Sequence, residues 1–209
     1  MDITTHVSAQ VNAPSDDLAP LRVAVIVASN REGRFAPVIA DWFLSRTAEH
    51  DDLDVDVIDL AGIDLPTALS FNPSDEVQAV LAQVSPRLDA ADAFVVLTPE
   101  YNHSFPASLK NLIDWTGSEW HAKPVGFVSY GGMSGGLRAV EQLRQVFAEM
   151  HATTIRDTVS FHGPRAHFDD DGRHKDPSAP NTAAKALLNQ LTWWAHALRN
   201  AKSTRPYTG

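Results

Sequence analysis

Three short stretches of this chain combine hydrogen-bond donors, charge and backbone freedom in patterns suited to holding an anion beside a flat ring. The first is Ser29-Asn30-Arg31-Glu32-Gly33-Arg34-Phe35, which follows an apolar run and opens a helix. A helix N-terminus presents unpaired N–H groups and the positive end of a dipole, both favourable to phosphate. Ser29 adds a hydroxyl, and Arg31 and Arg34 add charge and forked donors. No P-loop lysine and no GxGxxG is present, so the nucleotide triphosphate and dinucleotide fingerprints are absent. A Ser/Arg turn is equally common as a plain solvated turn, and the other two stretches give this one its meaning.

The second stretch is Pro99-Glu100-Tyr101-Asn102-His103-Ser104-Phe105-Pro106. Proline stiffens it, and two aromatics among polar residues make a rim more suited to contact than to simple capping. Ser104 is the expected N-cap of the following helix, with Pro106 in its first turn. The third is Ser129-Tyr130-Gly131-Gly132-Met133-Ser134-Gly135-Gly136, whose glycines permit positive φ and close approach of backbone to a planar ligand.

Regular elements must bring these stretches together. Val23 to Ala28, Ala93 to Leu97 and Val125 to Tyr130 are almost unbroken apolar runs, as in strands buried on both faces. Asp54 to Leu60 and Thr153 to Phe161 carry charge and read as edge strands. Helices fall between them. Ile39, Trp42 and Phe43 share a face of the first, with Pro37 in its opening turn. Ser74 to Ala90 forms the second, with a kink or early break expected at Pro86. The third runs from about Phe105 to Trp115, the fourth carries Leu137, Val140, Leu143 and Phe147, and the last spans about Thr182 to Arg199.

Alternating strands and helices imply right-handed βαβ units around a parallel sheet. With apolar strands central and charged strands at the edges, the order is 2-1-3-4-5. That is a flavodoxin-like three-layer α/β sandwich with a five-stranded parallel sheet, whose switch point lies between strands one and three. All three stretches then lie at the carboxyl ends of neighbouring strands. A phosphate grip next to a flat slot at that switch point describes FMN.

Residues 1–20 read as a polar tail, 21–200 as one FMN-binding domain and 201–209 as a C-terminal tail. The chain has 209 residues, enough for one such core. A net charge of -9 argues against nucleic acid as a partner. The absence of cysteine excludes disulfides, thiolate metal sites and cysteine nucleophiles. Neither a signal peptide nor an apolar stretch of about 20 residues is visible, so a cytoplasmic protein with no membrane partner is expected. The histidines show no ligand spacing such as HExxH, and Asp169-Asp170-Asp171-Gly172 reads as a turn; no metal is assigned. Of Trp193-Trp194, one is expected in the core and the other partly exposed.

Pro99-Glu100-Tyr101-Asn102-His103-Ser104, continued by Leu109-Lys110-Asn111 and Ile113-Asp114-Trp115, resembles the NADPH-dependent FMN reductase family, which includes NAD(P)H:quinone reductases and chromate- or azo-dye-reducing relatives. The resemblance runs from Leu21 to about Met150. Ala28 stands where many members have glycine, and Arg34-Phe35 where many have serine. The resemblance implies that Ser29, Arg31, Arg34 and the adjoining Phe35 surround the FMN phosphate. It implies that Pro99, Glu100, Tyr101 and Asn102 border the ring, and that Tyr130, Gly131 and Gly132 border its pyrimidine side. It also implies an oxidoreductase using NADPH or NADH, a small-molecule electron acceptor, ping-pong kinetics and a homodimer or homotetramer. No catalytic acid or base is assigned, although the loop position makes His103 or Tyr101 a candidate proton donor to a quinone. Two other flavin proteins fit the same pocket: an electron-carrying flavodoxin and an FMN-binding redox sensor. Flavodoxins use a Thr/Ser- and Gly-rich phosphate loop, so Ser29, Arg31 and Arg34 favour the enzyme.

Overall fold

The computed structural model describes residues 19–209, so the expected tail, apart from Ala19 and Pro20, lies outside the described residues. Five strands form one parallel sheet: β1 (Leu21–Val27), β2 (Leu53–Asp59), β3 (Ala93–Pro99), β4 (Pro124–Gly131) and β5 (Thr153–His162). Their order is β2-β1-β3-β4-β5, as strand composition predicts. β3 is buried along its whole length, whereas β2 is mostly half-buried or exposed. The register between β4 and β5 shifts once, between Val125 and Phe127.

Side-chain alternation splits the core into two layers. Val23, Val25, Val27, Val95, Leu97, Val128 and Tyr130 face α1 (Ala36–Thr47) and α5 (Ser178–Thr204). Ala24, Ile26, Phe94, Val96, Val125 and Phe127 face α2 (Asp75–Ala90), α3 (Ala107–Trp115) and α4 (Leu137–Glu149). Each fully buried Leu, Ile or Phe contributes roughly 1.5–3 kcal/mol. The Trp42 indole N–H donates to Asn181 Oδ1 (3.2 Å), tying α1 to α5. Ile39, Trp42 and Phe43 are all buried, as their spacing predicts.

α2 runs to Ala90, the end expected for it, with no early break at Pro86. Pro86 removes the donor for the Ala82 carbonyl, and both residues are exposed, which leaves that group open to solvent. Ser104 is not the cap of α3: Pro106 holds the N-cap position, and the Ser104 hydroxyl donates to Gln142 Oε1 (2.6 Å). α5 extends to Thr204, past the expected start of the C-terminal tail, and Tyr207 Oη lies 2.9 Å from His151 Nδ1. Trp194 packs against the core while Trp193 is largely exposed. Among the described residues no helix is long and apolar enough to cross a membrane.

Candidate functional site

A cleft of about 600 Å³ opens at the carboxyl ends of β1, β3, β4 and β5. Its size falls in the range of roughly 300–1,000 Å³ that suits small-molecule sites. The β1 side is a tight turn closed by the Arg34 amide on the Arg31 carbonyl (3.2 Å), with Gly33 at φ 63°. Ser29 is fully buried, and its hydroxyl lies 2.7 Å from Tyr101 Oη. The Ser108 hydroxyl donates to the Ala28 carbonyl (2.7 Å), pinning this turn to α3.

Arg34 is spent inside the protein. Its guanidinium bonds both Asp59 carboxylate oxygens (2.5 Å each) and the Ser29 carbonyl (2.6 Å). The bond from Arg34 holds the Asp59 carboxyl below its ordinary value, and the same bond raises the Arg34 guanidinium further. The pair clamps the end of β1 to the end of β2 and neutralises itself. Arg31 is exposed and makes no ion pair among the described residues. The opening turn of α1 has no side-chain cap, and Pro37 in it carries no N–H.

The β3 side is a hairpin-like turn. Tyr101 and Ser104 exchange backbone hydrogen bonds (2.8 and 3.0 Å), and Asn102 (φ 50°) and His103 (φ 69°) both sit in the left-handed region. Each such residue costs about 1 kcal/mol or more, least for Asn and His among side-chain-bearing types. The turn holds Pro99, Glu100 and Tyr101 against the cleft. Asn102 and His103 are exposed at its tip and do not line the cleft. Burial works to raise the Glu100 carboxyl, but bonds from Ser134 and Arg138 outweigh it and leave it below the usual range.

The β4 side brings Tyr130, Gly131 and Gly132 to the cleft. A Cβ on Gly131 would lie 3.1 Å from the Gly136 amide nitrogen. Gly136 is left-handed (φ 90°), and a Cβ there would come within 2.8 Å of the Tyr130 nitrogen. The Tyr130 hydroxyl is buried beside the Ser29 hydroxyl without a well-formed hydrogen bond among the described residues, and burial pushes its pKa up. A buried hydroxyl left short of partners at the wall of a cleft is a candidate ligand contact.

The fourth wall is one that reading the sequence missed: Gly163, Pro164, Arg165 and Ala166, following β5. The Gly163 amide donates to the Gly131 carbonyl (2.7 Å), joining this wall to the β4 loop. The Arg165 guanidinium lies over the Phe35 ring, 5.1 Å from its centroid, and donates to the Gly33 carbonyl (3.1 Å). Gly-Pro-Arg directly after a predicted parallel strand was the available signal, since that end of any such sheet faces the ligand.

Thus Ser29, Arg31, Arg34, Phe35, Pro99, Glu100, Tyr101, Tyr130, Gly131 and Gly132 meet around one space, and Asn102 stands outside it. The cleft has an arginine- and hydroxyl-bearing end and an end between the β3 and β4 loops, a donor set that fits FMN. Among the described residues no cluster of three or more His, Asp or Glu could hold a metal ion.

The sequence pattern described as NADPH-dependent FMN reductase matches residues 21–165. An NAD(P)H-dependent FMN reductase of Schizosaccharomyces pombe is 35% identical over 132 residues, covering 60% of this chain and 64% of that protein, which is just under two thirds of its length. A probable NADPH:quinone oxidoreductase of Oryza sativa is 33% identical over 187 residues, covering 81% of this chain and 86% of that protein. Among solved structures, the flavoenzyme NAD(P)H:(acceptor) oxidoreductase FerB of Paracoccus denitrificans superposes with a TM-score of 0.65. It is 20% identical and covers 83% of this chain and 97% of that one, a likeness of fold.

Proposed function

The chain belongs to the NADPH-dependent FMN reductase family, and from that premise we propose that it is an oxidoreductase that holds FMN in the cleft and passes electrons from NADPH or NADH to a small acceptor. The observation that carries this is the cleft itself, with its cationic end and its under-bonded Tyr130 hydroxyl at the switch point of the sheet. When bound, FMN supplies the redox chemistry, taking a hydride from the reduced nicotinamide and returning two electrons to the acceptor.

This chain's residues bind and orient. Ser29 and Arg31 meet the phosphate, while Arg34 fixes the turn that presents them. Pro99, Glu100 and Tyr101 form one wall of the ring slot, and Tyr130, Gly131 and Gly132 the other. Tyr101 Oη is within reach of Ser29, which holds the phosphate turn against the ring slot. In this reading donor and acceptor would use the same cleft in turn, which is ping-pong kinetics. Quinones, azo compounds and free flavins are flat enough to be acceptors, and the names of the relatives support the quinone and flavin classes.

The test is an absorbance titration of the purified chain with FMN, followed by anaerobic NADPH and then a quinone. The expected result is bound yellow flavin that bleaches with NADPH and recovers with quinone over many turnovers. A chain that fails to bind FMN overturns the reading. Bound flavin that NADPH does not bleach favours an electron carrier.

A further inference from the structure

We propose that Arg165 is a binding residue for a phosphate monoester in this cleft, either the FMN phosphate or the 2′-phosphate of NADPH; the inference rests on the flavin-reductase reading above.

The case begins with charge. Three arginines, Arg31, Arg34 and Arg165, line the phosphate end of the cleft, together with Glu32. Arg34 is neutralised by Asp59 at 2.5 Å and has most of its donors committed to that carboxylate and to the Ser29 carbonyl. Its contribution to holding a dianion is therefore small. Glu32 subtracts one charge. Arg31 alone would leave this end close to neutral, in a chain whose net charge is -9. Arg165 supplies the missing cation, and it makes no ion pair among the described residues.

Geometry then says what it is ready to do. Of its five N–H donors, one is used, on the Gly33 carbonyl at 3.1 Å. That carbonyl belongs to the phosphate turn itself. The guanidinium plane is steadied over Phe35 at 5.1 Å, the residue that opens α1. Phe35 is braced edge-on by Phe168 at 5.6 Å, and Phe168 by Phe161 at 5.5 Å. Pro164 is buried, and the Gly163 amide is anchored on the Gly131 carbonyl. The arm that carries Arg165 is thus held in place, and Arg165 lines the cleft with most of its donors unused. A fork of unused donors on a rigid arm recognises a tetrahedral dianion well.

The experiment compares the wild-type chain with Arg165→Gln and Arg165→Lys. Each is titrated with FMN and with riboflavin, which lacks the phosphate, and each is assayed for KM with NADPH and NADH. Because the side chain is exposed, folding should be unaffected, and melting curves check this. If Arg165 holds the FMN phosphate, Arg165→Gln weakens FMN binding about tenfold and leaves riboflavin unchanged. If it holds the NADPH 2′-phosphate, FMN binding is unchanged and the preference for NADPH over NADH falls by about the same factor. In either case Arg165→Lys recovers part of the loss. An Arg165→Gln chain that keeps both the full FMN-over-riboflavin preference and the wild-type NADPH-to-NADH ratio overturns the inference alone. So does one that loses FMN and riboflavin binding equally. A wild-type chain that binds neither flavin overturns the underlying functional reading as well.

Discussion

At the amino end of the sheet, the Lys123 ammonium is buried and donates to the carbonyls of Leu88 (2.9 Å) and Asp89 (2.7 Å), which close α2. At the carboxyl end, the Tyr130 hydroxyl is also buried and makes no well-formed hydrogen bond among the described residues. Arg199 repeats the first pattern, reaching Asp92 and the carbonyls of Ala19 and Pro20. Arg31 and Arg165 repeat the second in part, with most of their donors unused although Arg165 bonds the Gly33 carbonyl. At the amino end these polar groups hold the fold together; at the carboxyl end some do the same, as Arg34 does with Asp59, while others keep donors for a ligand. Left-handed backbone does not separate the two ends: Asn102, His103, Gly135 and Gly136 adopt it at the carboxyl end, and Ala122 (φ 50°) and His151 (φ 55°) at the amino end.

The sharpest way to break this contrast is Gly136→Val. At φ 90° a side chain is strained, and its Cβ would sit 2.6 Å from that of Ser129. The expected loss is about 3 kcal/mol or more in urea unfolding, together with FMN binding. Wild-type values for both would show that the β4 loop is looser than it looks.

Next is Lys123, whose burial lowers its pKa to about 8 from 10.5. Between those values the unfolded chain binds more protons than the folded one, so folded stability rises with pH. Relative to Lys123→Met, the wild type should gain up to about 3 kcal/mol across that window. Parallel stability curves from pH 8 to 10.5 would refute the assignment of a costly buried cation.

Tyr130→Phe removes the under-bonded hydroxyl. Without flavin the variant should be as stable as the wild type, or more stable by about 1 kcal/mol, since an unmade bond is removed. With flavin it should bind about fivefold more weakly. If the flavin-free protein is instead destabilised, the hydroxyl has a partner within the fold.

The smallest effect is expected for Asp59→Asn, at about 1 kcal/mol or less, because the carboxylate is 42% exposed and the pair is screened. The Asp59 pKa is depressed from 3.8, so its contribution is present above that pH and fades as acid carries the chain through the folded value. The Asn variant should lack that acid-dependent loss in thermal melts below pH 4.

The apolar runs made the strand order readable, because burial on both faces leaves no room for charge in β1, β3 and β4. Three of the four cleft walls were readable for a similar reason: each follows such a run directly. The Arg34–Asp59 clamp was not, since residues 25 apart in sequence meet only once β2 lies beside β1. The Arg165 wall was harder to read, because the mixed polarity of β5 marks an edge strand and only the Gly-Pro-Arg turn after it pointed to the cleft. The paired left-handed residues Asn102 and His103 follow a backbone path that residue types alone do not specify.

The bond from Arg165 to the Gly33 carbonyl spans 132 positions along the chain. Contacts between such distant segments form slowly, because a long loop must close first. The cleft is closed on its fourth side by a contact between an early and a late segment of the chain. If that cleft holds a ligand as proposed, a chain shortened before residue 165 would hold it less well, and a bound ligand would in turn strengthen the joint.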